Sequence, residues 1–425
     1  MRTVFKTITI IVVILSFVTV NAQSDYYIAP NGKGRTASKE QPAKDLAAVI
    51  MKLKAGDTVH IAGGVYKSKS ERGSDIIPVS VSIIGGYSPD FSTRDPWGKY
   101  KTILTGNNTY MTGLTTSRLR INGNANAPVL IDGIIIDNGP RNHYKSDKKQ
   151  LILRMANAKE GKNPSPESPG IKIYMRGIGT SVTVQNCVII NTAPTQGALD
   201  VQLGKDGKAV IKNNLIVNNT GEGIMAKTNW HGDTSKNYAT YLIENNTILF
   251  NWKHDAIASY GGNSLMMDTR VNLTANNNIF GFGDFGGVNN IKKCENLVLN
   301  NNNFFGHKKY DFFDTSAINV SEMEDYADFL SGGSGNVSEP INLPVNKDWA
   351  TLYSARKDIS RASVDAASTV SNSSENQIRG ILGLNKMGSS VSADASIWLH
   401  QMQVDDAIKL GLQQYNGRGC QQPTK

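Results

Sequence analysis

The chain is poor in cysteine and in charge. Cys187, Cys294 and Cys420 are its only three cysteines in 425 residues, too few for a disulfide framework, and none stands in the CxxC spacing of a zinc site. Charged residues make up 19% of the sequence, which excludes a charge-rich disordered chain and the charged heptads of a coiled coil. The 40 glycines and 14 prolines follow no triplet period, so the chain is not collagen-like. With 39% hydrophobic residues it folds, and burial and hydrogen bonding must hold it without cross-links.

Asparagine is what the sequence has in excess. There are 42 asparagines, and 23 of them fall between Asn186 and Asn303. The N-terminus is organised differently. Arg2 and Lys6 precede an apolar run from Ile8 to Val18, and Val20-Asn21-Ala22 places small residues where signal peptidase needs them. Residues 1–22 are therefore expected to be a cleaved secretory signal, since the run is shorter than the ~20 residues that span a bilayer. No cysteine follows it, which argues against a lipoprotein. Without Arg2 and Lys6, 43 basic residues face 36 acidic ones, a net charge of +7. That balance suits an anionic glycan partner, and equally a solvated basic surface.

The asparagines recur with a period. Asn186-Cys187-Val188-Ile189, Asn213-Asn214-Leu215-Ile216, Asn245-Asn246-Thr247-Ile248, Asn276-Asn277-Asn278-Ile279 and Asn301-Asn302-Asn303-Phe304 align at steps of 27, 32, 31 and 25 residues. Three residues before the second position stand Val184, Ile211, Ile243, Thr274 and Leu299; two residues after it stand Ile189, Ile216, Ile248, Ile279 and Phe304. Upstream, glycine takes the asparagine's place in Gly63-Gly64, Gly85-Gly86, Gly106 and Gly133. The gap of 54 residues from Gly133 to Cys187 is either two units or one with a long insertion. The polar, proline-rich residues 139–169 mark a protruding loop there.

Short strands at such a period, with no amphipathic helix between them, predict a solenoid in which each coil stacks on the last. About 10 coils at ~4.8 Å each give a rod of roughly 50 Å, with apolar columns filling its lumen. At the bend between strands a stacked Asn can hydrogen-bond the Asn above and below while tolerating left-handed backbone angles; Gly meets the backbone demand alone.

These columns resemble the right-handed parallel β-helix proteins of the pectate-lyase-like superfamily. The opening Tyr27-Ile28-Ala29-Pro30-Asn31-Gly32, the segment Asp57-Thr58-Val59-His60-Ile61, and Ile83-Ile84-Gly85-Gly86-Tyr87 carry the same likeness. It covers roughly residues 25–310 and implies an all-β fold, a right-handed parallel β-helix. Residues 23–56 would hold an N-terminal strand and a capping helix, Ala43 to Leu53, covering the first coil with Ala47, Val49, Ile50, Met51 and Leu53. The rod would fill 57–313, where the ladder stops, and 314–425 would be a partly helical tail packing on it, with helices opening at Ser321 and spanning Ala395 to Leu410. The superfamily holds polysaccharide lyases, uronate epimerases, glycoside hydrolases and non-catalytic surface proteins, so the fold alone does not choose an activity.

Chemistry on such a rod sits where outward side chains of successive coils align. Aligning Gly197-Ala198-Leu199-Asp200-Val201, Gly223-Ile224-Met225-Ala226-Lys227 and Ala256-Ile257-Ala258-Ser259-Tyr260 makes Lys227 and Tyr260 neighbours and stacks Gln196, Glu222 and Asp255 ahead of them. Asn229, Trp230 and His231 follow Lys227 in one of the longest coils, where they could wall a groove and stack on a sugar. Lys227 or Arg270 would serve a uronate carboxylate, and Lys227, His254 or Tyr260 would move the C5 proton. The alternatives are a hydrolase using Glu222 with Asp255, or a glycan-binding or adhesive surface protein with no catalytic set. No acidic calcium cluster of the pectate-lyase kind is present and no lyase Lys/Arg pair can be assigned, so no metal ligand is named, although the resemblance leaves calcium open. The expected partner is an acidic polysaccharide. Scattered basic residues and export argue against nucleic acid. A non-spanning, monomeric protein of the periplasm or cell exterior is expected.

Overall fold

The computed structural model describes residues 23–68, 73–105, 117–138, 169–192, 194, 196–229, 238–252, 261–268, 270–283, 285–294, 296–307, 309–314, 317–318, 333–339, 402–413 and 415–424. Three sheets wind around one lumen. Sheet A has nine strands, from Asp25–Ile28 through Ser181–Gln185, Gly207–Lys212 and Ala239–Glu244 to Asn296–Asn300. Sheet B has eight, from Gly64–Lys67 through Leu215–Thr220 and Thr247–Trp252 to Asn303–Phe305. Sheet C has nine, from Asp75–Ile77 through Leu119–Asn124, Ile171–Arg176, Gly197–Leu203, Glu222–Thr228, Asn263–Met267, Gly286–Asn289 and Tyr310–Phe313 to Ala317–Ile318. Every pairing is parallel except the last, Tyr310–Phe313 with Ala317–Ile318. The chain visits A, B and C in turn, making eight complete coils beside the opening strand, a rod of about 40 Å. This is a right-handed parallel β-helix.

The lumen is filled by columns that run from coil to coil. Ile211, Ile243, Ala275 and Leu299 align on sheet A, and Ile216, Ile248, Phe280 and Phe304 on sheet B. Thr274 and Ile279, assigned to these columns by sequence spacing, stand one residue out of register. The run of three asparagines, Asn276 to Asn278, allows either alignment; Ala275 is 0% exposed where Thr274 is only half-buried, and Phe280 joins the lumen core whereas Ile279 packs on the outer flank. Gly106 lies outside the described residues. It follows the sheet B strand Thr102–Thr105, and Ile83 pairs directly with Ile131, which accounts for the shorter rod. Asp132 pairs with Gln185, so the stretch from Gly133 to Cys187 is one coil; residues 139–168 lie outside the described part.

At the A–B bend, Asn186, Asn213, Asn245, Asn277 and Asn301 all adopt φ between 52° and 55°, and Gly133 one coil earlier has φ 68°. The following residues are buried and form a continuous column: Asn214 donates its side-chain amide to Asn246, Asn246 to Asn278 and Asn278 to Asn302, each at 2.9 Å. The column does not stop at Phe313. Asn302 donates on to Asn336 at 3.1 Å, and Asn336 to the Leu299 carbonyl at 2.7 Å, so a segment from beyond the last coil supplies one more rung.

The N-terminal segment is less helical than expected. Residues 43–53 form two 3-10 turns, Leu46–Ala48 and Ile50–Lys52, instead of one α-helix. The parallel bridge of Ala43 to Ile28 and the Asp45 cap on Ala48 N fix the entry, leaving room for only short i→i+3 turns. Leu46, Val49 and Leu53 are buried, whereas Met51 is 91% exposed. The α-helix Val404–Gly411 falls in the stretch where helical segments are expected, of which 395–401 lie outside the described residues, and it packs Ala407, Ile408 and Leu410 on the outer face of sheet B, against Val188, Ile190, Leu215 and Val217. Residues 402–421 thus lie along the side of the rod. The helix expected at Ser321 and the signal over 1–22 fall outside the described residues.

Candidate functional site on the outer face of sheet C

Strand alternation decides which side chains of sheet C point away from the lumen. Ile171 and Ile173, Leu199 and Val201, and Ile224 and Ala226 point into the lumen, so Lys172, Tyr174, Asp200, Gln202, Met225 and Lys227 point out. At its entry the sheet breaks alternation. Ala198 and Leu199 both belong to the lumen cluster, and a Cβ on Gly223 would meet the lumen residue Ile248 at 2.5 Å. Two successive inward positions leave Glu222, just ahead of them, on the outer side.

Register then fixes the neighbours. Arg120, Lys172, Asp200, Met225 and Met266 form one outward row, and Asn122, Tyr174, Gln202 and Lys227 the next. Asp200, 1% exposed, lies between two lysines from the coils on either side: Lys172 Nζ is 3.3 Å from Oδ2, and Lys227 Nζ is 3.0 Å from Oδ1. Lys227 also donates to the side-chain oxygen of Gln196. The triad carries two positive charges against one negative, and its lysines are only partly buried, at 23% and 12% exposure. Arg120, beside Lys172, donates to Asn122 at 2.9 Å and adds another cation to the row.

Glu222 is buried on the same face. Its Oε2 accepts the Asn263 backbone N–H at 3.0 Å, while its Oε1 is buried without a hydrogen-bond partner. Burial pushes the carboxyl up to about 7, against the pull of its hydrogen bonds from Asn263. The chain of contacts continues through Tyr310, which donates to Asn263 Oδ1 at 2.9 Å and accepts from Asn289 Nδ2 at 2.9 Å. Burial, and secondarily the Glu222 charge, raise the Tyr310 phenol. The arrangement presents a cationic cluster suited to an anionic sugar group and, beside it, an acid that holds its proton up to neutrality.

The other expected site residues fare differently. The sheet C strand of the sixth coil is Asn263–Met267 rather than 256–260, so Ala226 pairs with Met267, and the residue opposite Glu222 in the extended register is Asn263. The expected pairings of Lys227 with Tyr260 and of Glu222 with Asp255 are therefore not those of the sheet. Leu265 and Met267 face the lumen there, in register with Ile224 and Ala226. Tyr260, His254, Asp255, Trp230 and His231 lie outside the described residues. Asn229 is buried: its N–H meets the Leu203 carbonyl at 2.6 Å and its side chain joins Tyr174 and Met175, so it braces three coils. Arg270 stands at the bend into sheet A, where its carbonyl accepts Ala239 N–H at 3.2 Å. Asp200, Lys172 and Arg120 were missed, because their roles depend on a register that sequence spacing leaves one residue uncertain. Among the described residues no three His, Cys, Asp or Glu side chains group to hold a metal ion, and no helix is long and apolar enough to cross a membrane. An open cleft of about 770 Å³ at the N-terminal end, lined by Pro30, Lys33, Glu40 and Pro89 among others, contains none of these groups.

No protein-family model matches the sequence, and no curated protein does. Among solved structures, the chain is similar to a rhamnogalacturonan lyase at TM-score 0.31 and 10% identity, covering 66% of this chain and 74% of that one. It is also similar to the pectate lyase Pel9A at TM-score 0.25 and 13% identity, covering 71% and 78%. Likeness at this level says nothing about activity.

Proposed function

We propose that this β-helix is a carbohydrate-active protein, exported through its N-terminal signal, that acts on an acidic glycan laid across the outer face of sheet C. The chemistry would be abstraction of the C5 proton of a uronate, followed by elimination of O4 or return of the proton to the opposite face. The Lys172–Asp200–Lys227 cluster carries this reading. A uronate carboxylate must be neutralised before its C5 proton becomes acidic enough to remove, and a fixed ammonium in a partly desolvated site supplies that neutralisation without reorganisation. Lys227, already tied to Asp200, serves better as this cation than as the base. The base falls to His254 or Tyr260 by residue type.

Glu222 favours a second reading. A carboxyl that stays protonated near neutrality is what a glycosidase needs in a general acid, but Asn263 faces it where a second carboxylate would be required. One experiment separates the two. Purified protein is incubated with a panel of uronate polysaccharides in heavy water, with ultraviolet absorbance followed for an unsaturated product. New absorbance means elimination, deuterium at C5 without absorbance means epimerisation, and reducing ends without either mean hydrolysis. None of the three, with retained binding, leaves a glycan-binding protein.

A further inference from the structure

We infer that Arg120, Lys172 and Lys227 form a binding site for one anionic group of a sugar, a uronate carboxylate, and that Asp200 is the positioning residue that holds its two lysines. This deepens the proposed function and rests on its placement of the glycan on sheet C.

The argument starts from Asp200. Its side chain is 1% exposed, although it projects from the outer face of the rod. A carboxylate buried to that degree needs cations, and it has one on each side, from the preceding and the following coil. Both lysines are held at a fixed height above the sheet by the same carboxylate. Their hydrogen-bonding capacity is not exhausted by it. An ammonium has three donors; Lys227 directs its own at Asp200 and Gln196, whereas Lys172 has Asp200 as its partner. Arg120 lies directly beside Lys172 in the register, and its described side-chain bond uses Nε on Asn122, leaving the outer guanidinium nitrogens for a ligand. Three cations against one buried anion leave a local excess of two positive charges. A planar carboxylate can bridge a guanidinium and a neighbouring ammonium, and the polar row of Asn122, Tyr174 and Gln202 runs alongside for sugar hydroxyls.

The test measures binding, not turnover. A hexuronate trisaccharide and its neutral methyl ester are titrated into the full-length protein at low ionic strength by calorimetry. The acid should bind at least about tenfold more tightly than the ester, and Lys172→Met should weaken the acid about tenfold while leaving the ester unchanged. Lys172→Arg should restore most of the loss. Asp200→Asn, which frees both lysines, should lower acid affinity while keeping the preference for acid over ester. Because Asp200 is buried, its variant is read only if its melting curve overlays the parent's; the Lys172 variants carry the test otherwise. Equal binding of acid and ester, no binding of either, or full acid affinity in Lys172→Met would overturn the site. The two readings fail separately. Acid-selective binding lost in Lys172→Met, with no reaction on any uronate polymer, keeps the site and removes the catalytic reading. Turnover with an unchanged KM in Lys172→Met does the reverse.

Discussion

Gln196 and Glu222 are joined across adjacent coils: the Gln196 carbonyl accepts the Glu222 backbone N–H at 2.8 Å. The side chain of the same glutamine takes a hydrogen bond from the Lys227 ammonium. One residue therefore links the cationic cluster to the buried acid, and displacement of either should be felt by the other.

The acid gives a pH prediction. Burial raises Glu222 from 4.5 to about 7 in the folded state, so the folded protein holds this proton more tightly than the unfolded chain. The stability it contributes is fully present below about pH 4.5 and is lost as pH rises to about 7, with no further change above. The loss is on the order of 3 kcal/mol. Glu222→Gln should flatten that slope, and urea unfolding at pH 5 and pH 8 measures it. The same slope in parent and variant would assign it to another group.

Lys227→Ala tests the proposed chemistry. If Lys227 neutralises the substrate carboxylate, turnover should fall about 10²–10⁴-fold while the polymer still binds through the remaining cations. Steady-state rates beside a direct binding measurement decide it. A parallel loss of both would make Lys227 a binding residue alone.

Asn246→Leu probes the column at the A–B bend. Asn246 accepts from Asn214 and donates to Asn278 and to the Ile211 carbonyl, all buried. Leucine would orphan several of these groups at once, at a cost of about 3 kcal/mol or more. Asn336→Ala, at the partly exposed end of the same column, should cost about 1 kcal/mol. Chemical denaturation of the two variants should rank them in that order.

Ile408→Asp tests the docking of the tail. Ile408 is 7% exposed against sheet B, and a charge there should undock the helix Val404–Gly411. Limited proteolysis should then release the segment around 402–421 while the coils stay resistant. Simultaneous digestion of the whole chain would show that the coils depend on the tail.

The solenoid was legible because its determinants repeat. The asparagines at the bend announce a left-handed backbone position once per coil, and the apolar columns sit at fixed distances from it. Legibility failed where repetition was ambiguous. The run Asn276 to Asn278 permits two registers, and the sheet C strands have no comparable marker, so spacing points to Ala256 to Tyr260 where the strand of the sixth coil is Asn263–Met267. Lys227 could be read as outward and polar, but Asp200 between Lys172 and Lys227 becomes visible only when Gln202, and not Val201, is set opposite Lys227.

The return of the chain to its own flank has a consequence for how the rod assembles. Within the solenoid each coil needs only the one before it, some 27 residues back for Asn213 on Asn186. The clasp between Asn191 and Met402 closes over 211 residues, and that between Asn213 and Gln421 over 208. Contacts of such sequence separation form late, since the closure entropy is met in a single step. A chain emerging N-terminus first could therefore wind its coils progressively and be locked only when residues 402–421 arrive. Until then the apolar flank of sheet B, from Val188 to Ile279, stays uncovered. Without residues 402–421 that flank would be bare, and an apolar surface of this kind invites self-association or proteolysis.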